Sequence, residues 1–334
     1  MLMMEDLGCG INIGNDLDCY GAASAIENPT VRDYETFWNN PPVKKEIISA
    51  LKKAGFKTIR IPVSWSEHIG ADGSVDEAWM SRVQEVVDWV IEEDLYAVLD
   101  VHHEDFIAPT YEKEEEVSRK LESLWRQIGE RFAEYDEHLL FEGMNEPRLE
   151  NSAEEWTAGT KEMRDVVNHL NGVFVKTVRS LGGKNKRRFL LIQSYGPGFE
   201  EEALKALEIP EGDTRVMVAV HAYLPYRFTE ANEGHETWKE DKARYTEDIQ
   251  KLKQNIKTLF LDKGIPVVIT EYGCEEKKYE EQRIAWAKYY LNAFSKDLGV
   301  PCLWWDNGAE YAVYDRESGA ITREGLVKVL TGRE

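Results

Sequence analysis

The sequence predicts an α/β fold of the (β/α)8 TIM-barrel class, on three observations. Eight short Val- and Ile-rich runs alternate with eight longer amphipathic stretches. The short runs are apolar nearly throughout, as strands buried on both faces of a parallel sheet must be. The unusual polar residues then fall at the C-terminal ends of those runs, which a closed barrel gathers around one mouth.

The expected strands are 8–14, 57–63, 96–102, 139–146, 189–194, 216–223, 266–273 and 301–308. Helical periodicity fills 43–54, 77–93, 112–134, 161–181, 200–207, 241–262 and 279–295, with a last helix at 322–330. The acidic runs 112–116 and 200–202 stand where helices begin, and carboxylates there suit the positive end of the helix dipole. An open doubly wound sheet is the competing architecture, but no GxGxxG turn follows the first strand. A chain of 334 residues suits one barrel, so 1–334 reads as one domain without linker or repeat.

Composition narrows the partners. With 41 basic against 62 acidic residues, a net charge of −21 repels nucleic acid and anionic membranes. No run is long and apolar enough for a membrane span. The opening MLMMEDLGCGINIG lacks a basic region followed by an apolar one, so no secretory leader is expected in it. Cys9, Cys19, Cys274 and Cys302 form no CxxC pair, hence neither a zinc signature nor a dense disulfide framework.

Two glutamates end apolar strands, Glu146 after 139–145 and Glu271 after 266–270. A carboxylate there is costly unless it is paired or functional. Strands four and seven lie across the mouth from one another. Two opposed carboxyls are what glycoside hydrolysis requires, one protonating the leaving oxygen and one ionised to attack. Around them, Asn145 can donate to a sugar hydroxyl, and Arg60 can hold Glu271 ionised. Tyr223 can donate to the nucleophile, and His102 and His221 can orient hydroxyls or steady protonation. His102-His103 invites a metal reading. Regular alternation along a strand would send the two rings to opposite faces, however, and no HExxH accompanies them, so no metal is expected. Trp38, Trp65, Tyr195, Tyr226, Trp238, Trp304, Trp305 and Tyr311 fall in strand-end loops, where rings can stack on sugar C–H faces. Trp79, Trp89, Trp125 and Trp286 lie at helical positions and read as packing.

Seven segments carry a family resemblance: GINIGN at 10–15, GFKTIRIP at 55–62, DVHH at 100–103, FEGMNEP at 141–147, HAY at 221–223, ITEYG at 269–273 and WWDNG at 304–308. In this order they resemble the cellulase domain of glycoside hydrolase family 5. The resemblance implies a retaining double displacement without cofactor, Glu146 as acid/base and Glu271 as nucleophile. It implies supporting or sugar-binding roles for Arg60, His102, His103, Asn145, His221 and Tyr223. Asn15 and Asp18 would meet sugar hydroxyls on the non-reducing side, and Trp305 or its neighbour Trp304 would be the platform at the cleaved bond. Tyr272, where many relatives have Phe, and Glu230, where some have His, depart from the pattern and bear on the aglycone side.

Trp38, Trp65 and Trp238 on flanking loops further predict an open cleft for several sugars of a β-1,4-glucan cut internally. Mixed-linkage glucan and xyloglucan are possible variants, and xylan or mannan the alternatives. A non-catalytic carbohydrate-binding barrel and a metal-assisted hydrolase are the competing classes. A monomer is expected, and a polymeric substrate favours work outside the cell.

Overall fold

The computed structural model describes residues 4–230, 237–277 and 279–333. Eight parallel strands close in sequence order: β1 (Cys9–Asn12), β2 (Thr58–Ile61), β3 (Tyr96–Asp100), β4 (Leu139–Glu142), β5 (Leu190–Ile192), β6 (Val216–His221), β7 (Val267–Tyr272) and β8 (Cys302–Trp304). The seam is made by β1 against β8, with Cys9 opposite Cys302. Around the barrel lie α1 (Lys45–Ala54), α2 (Glu77–Glu92), α3 (Glu114–Arg131), α4 (Lys161–Ser180), α5 (Glu201–Ala206), α6 (Ala243–Leu259), α7 (Glu280–Leu291) and α8 (Glu324–Leu330).

Local chemistry sets the helix ends. Asp76 accepts a hydrogen bond from the Trp79 amide at the start of α2, and Thr160 does the same for Met163 at the start of α4. Gly55 closes α1 with φ of 114°, a conformation that favours glycine. Short helices not expected from periodicity cover Met4–Leu7, Ala22–Ala25, Val31–Glu35 and Tyr226–Thr229. A stretch of four or five residues is too brief to show a period. Among the described residues no helix is long and apolar enough to cross a membrane.

The strands are shorter than expected, chiefly at the C-terminal end. The run 139–146, for instance, leaves the ladder after Glu142 and reaches left-handed backbone at Glu146, with φ of 43°. Such a conformation costs about 1–3 kcal/mol in a non-glycine residue and tends to occur at functional sites.

Alternation then divides the barrel interior into layers. Leu7, Val98, Leu140, Leu191, Ala219, Val268 and Leu303 form a dry inner cluster, capped below by Leu7 from the first short helix. Two residues further along the first seven strands the inward positions turn polar: Asn12, Arg60, Asp100, Glu142, Gln193, His221 and Thr270, all fully buried. The larger apolar cluster fills the space between strands and helices, and takes in Trp79, Trp125 and Trp286, with Trp89 packed against it. Register shifts interrupt β6–β7 between Val220 and His221 and β7–β8 between Ile269 and Tyr272. Such irregularities re-aim side chains, and these two flank His221 and Glu271.

Candidate active site

Arg60 organises the polar layer. Its Nε donates to Glu142 Oε2 at 2.6 Å, its Nη1 to Asn12 Oδ1 at 3.0 Å and to Glu271 Oε1 at 2.5 Å, and its Nη2 to Asn145 Oδ1 at 2.9 Å. Asp100 Oδ2 is a further ion-pair partner at 2.7 Å. A buried guanidinium satisfied on all sides this way is fixed in place. Because Asn145 gives its carbonyl to Arg60, its amide NH2 is the end left for the cleft. Burial pushes Glu142 up, but Arg60 and His221 hold it down at about 2. Burial raises Asp100 to about 7 against the pull of Arg60.

Glu146 and Glu271 meet over this layer. With His221 they bring three donor atoms within 4.8 Å of one another. Glu271 Oε2 accepts from the Tyr223 hydroxyl at 2.9 Å, while its Oε1 takes Arg60. Glu146 Oε1 lies 2.8 Å from His221 Nδ1, which is also 3.4 Å from Glu271 Oε2. Glu146 Oε2 has Arg148 at 3.6 Å.

Gln193 decides which proton His221 carries. Its Oε1 accepts from the Glu146 amide at 2.6 Å, so its Nε2 is a donor, 3.1 Å from Glu142 and 2.8 Å from His221 Nε2. His221 Nε2 must therefore accept, and the ring hydrogen sits on Nδ1, pointing at Glu146. Burial works against charge on this ring, and the carboxylates around it work for charge, raising its pKa to about 9. With a charged ring, Glu146, otherwise pushed up by burial, is held at about 2, while burial raises Glu271 against His221 and Arg60. A charged ring would set an N–H against the Gln193 NH2, however, so the hydrogen-bond pattern favours the neutral form. With His221 neutral, Glu271 keeps the stronger support for an ionised carboxyl: a guanidinium and a phenol donate to it directly.

His102 and His103 both line the cleft. The alternation that would separate them does not apply, because β3 ends at Asp100. His102 Nδ1 contacts Asp100 Oδ2 at 2.7 Å, and its ring lies parallel to that of Trp305 at 5.9 Å. Burial, then Arg60 and His221, lower the His102 pKa well below that of free histidine, so the ring is neutral. Asp18 is fully buried and accepts from the Asp16 amide on Oδ1. Asn15, with φ of 61°, is half-buried at the outer end of β1, outside the residues that line the central cleft.

The aromatic expectations divide. Trp305 lines the cleft, and Trp304 is fully buried, its Nε1 donating to the Tyr311 carbonyl. Trp65 is buried too, its Nε1 donating to the Asp100 carbonyl. Trp238 is corrected from platform to packing: 7% exposed, it lies against Phe228, Tyr245 and Tyr289. Tyr195 is core as well. An aromatic in a loop packs inward or outward according to what the neighbouring helix presents, which sequence position does not encode. Trp38 stays partly exposed beside Tyr20 and His103, and Tyr226 and Tyr311 line the cleft. Trp156 was not anticipated. It is 60% exposed on the cleft rim, with the Arg148 guanidinium 4.3 Å above its ring. Glu142 and Gln193 were missed as well. Both are two residues beyond an inward apolar position, a signal the alternation contained.

The cleft over this machinery holds about 800 Å³. The family model for cellulase, glycosyl hydrolase family 5, matches residues 22–311. The chain belongs to glycoside hydrolase family 5. Among family members, endoglucanase A of Clostridium longisporum is 41% identical over 328 residues, 97% of this chain, which spans 62% of that protein's length. A broad specificity endoglucanase from Ruminococcus champanellensis, solved with cellotriose, superposes with a TM-score of 0.93 at 36% identity, covering 98% of this chain and 96% of that one. A xyloglucan-specific endo-β-1,4-glucanase from a metagenomic library, also in complex with cellotriose, gives 0.93 at 36% identity over 99% and 98%.

Proposed function

We propose that this family 5 barrel is a retaining endo-β-1,4-glucanase. The observation that carries the stereochemistry is the proximity of Glu146 and Glu271, whose nearest oxygens lie within 4.8 Å. Retaining enzymes hold their carboxyls about 5–5.5 Å apart, whereas inverting ones leave about 6.5–9.5 Å for a water. Glu271, ionised by Arg60 and Tyr223, attacks the anomeric carbon as Glu146 protonates the departing glycosidic oxygen. Glu146 then takes a proton from water, whose oxygen displaces Glu271 from the glycosyl-enzyme and restores both groups. His221 and Gln193 orient Glu146, and the Asn145 amide donates to the sugar 2-OH as charge develops. This reaction draws on no metal, so full activity after chelation is expected.

Trp305 floors the cleft, and Trp156 and Tyr226 stand exposed at its rim. That span suits several sugars of an internal stretch, and the specificities of the relatives favour a glucan backbone, with xyloglucan as the second substrate. The same reading takes the protein as a monomer carrying one catalytic domain; sedimentation velocity checks it.

The test is a pair of variants. Glu271→Ala abolishes turnover, and azide restores an inverted glycosyl azide. Glu146→Ala loses about a hundred- to ten-thousand-fold on poor leaving groups and far less on activated aryl glycosides. Equal losses on both classes overturn the acid/base role. Viscosity of soluble cellulose derivatives should fall ahead of reducing-sugar release. Release of monosaccharide alone, or activity confined to mannan, overturns the substrate reading.

A further inference from the structure

We propose that Asp18, His102 and His103 form a binding site for a borderline transition-metal dication such as Zn2+ on the cleft wall, and that the metal and the sugar chain exclude one another there. The three residues each bring a donor atom within 4.8 Å of the others. A tetrahedral zinc with bonds of about 2.0–2.1 Å needs donors about 3.3 Å apart, a closure that modest ring rotation supplies.

Each donor is ready in a different way. His102 has its Nδ1 committed to Asp100, which is itself paired with Arg60, so Nε2 presents the lone pair. A histidine held from behind by a carboxylate is the usual second layer of a metal site. Asp18 spends Oδ1 on the Asp16 amide, leaving Oδ2 fully buried with no hydrogen-bond partner. Such an orphan oxygen is costly unless something occupies it. The His103 ring meets Tyr20, Trp38 and His102 edge-on or tilted, and neither ring nitrogen hydrogen-bonds to a described residue. Two imidazoles and one carboxylate select zinc or copper over calcium or magnesium, which favour oxygen ligands throughout. The net charge of −21 enriches dications near the surface. Because His102 lies parallel to Trp305, a metal on its Nε2 stands at the wall where a sugar would bind. Metal binding itself stands apart from the glucanase reading; only the mutual exclusion depends on it.

Zn2+ titration of the whole chain by calorimetry, with anomalous diffraction at the zinc edge, tests the site. One equivalent should bind between these three residues. Asp18→Asn and His103→Phe should each weaken it at least about tenfold, with thermal melts confirming folded protein, and Glu146→Gln should leave it unchanged. In Glu146→Gln, which cuts the oligosaccharide too slowly to consume it, saturating cellotetraose should weaken zinc, and in the wild type zinc should raise KM. No binding, or binding lost in Glu146→Gln and kept in His103→Phe, overturns the proposal, the latter placing the metal among Glu146, His221 and Glu271. Zinc affinity unmoved by cellotetraose in Glu146→Gln, with the wild type active on glucan, overturns the exclusion. Zinc bound at these residues in a chain that cleaves no glucan supports the site and sinks the glucanase reading instead.

Discussion

Replacing Tyr223 by Phe removes one atom and one interaction. The hydroxyl donates to Glu271 Oε2 at 2.9 Å, while Arg60 on Oε1 remains, and the ring keeps its edge contact with Tyr311 at 5.9 Å. A hydrogen bond to a charged group is worth about 1.5–3 kcal/mol, which converts to about a ten- to hundredfold loss in kcat/KM. The direction of the pH effect follows from the same bond. Burial already raises the Glu271 pKa, and the Tyr223 hydroxyl is among the groups that lower it. Without that hydroxyl the carboxyl holds its proton to higher pH. On the proposed mechanism only the ionised form attacks, so the acid limb of the kcat/KM profile moves upward and the loss is deepest at low pH. Initial rates on a soluble β-glucan across pH, with melting curves to confirm an intact fold, read this out. A variant with wild-type kcat/KM, or with a uniform loss and an unmoved acid limb, would refute the view that Tyr223 sustains the charge on Glu271.

Three further outcomes follow. Gln193→Glu offers an acceptor to His221 Nε2 and so charges the ring, which lowers the Glu146 pKa; the alkaline limb should move to lower pH, most visibly with poor leaving groups, and an unmoved profile contradicts the tautomer argument. Glu230 lines the cleft, and burial, then Glu146, raise its carboxyl to about 8. It is therefore neutral below that pH, and above it its charge raises the Glu146 pKa and keeps the acid protonated, so Glu230→Gln should move the alkaline limb of kcat/KM to lower pH, whereas an unmoved limb in that variant removes Glu230 from the profile. A Cβ on Gly14 would lie 2.5 Å from the Trp305 ring, so Gly14→Ala should tilt the platform, raise KM for polymer several-fold and cost about 1–3 kcal/mol of stability; unchanged KM would show that Trp305 does not bind sugar.

The barrel was legible in the sequence because it follows from periodicity. Apolar runs of period two against stretches of period 3.6 place strands and helices, and the eight strands fall within or beside the expected runs. The polar residues at the mouth were legible for the same reason, since Arg60, Glu146, His221 and Glu271 interrupt apolar strands where a polar group is costly. Tertiary structure alone decided what each group touches. Arg60 binds Glu142 and Glu271 across 82 and 211 residues of chain, and Gln193 fixes the proton of His221 from a neighbouring strand. The aromatics show the same limit from the other side. Trp304 and Trp305 are adjacent, yet one is buried beside Tyr272 and Trp286 and the other opens to the cleft. Along the chain they are neighbours at the end of β8. What separates them is the strand pleat and the space that Gly14 leaves open, and that space exists only when β1 lies against β8.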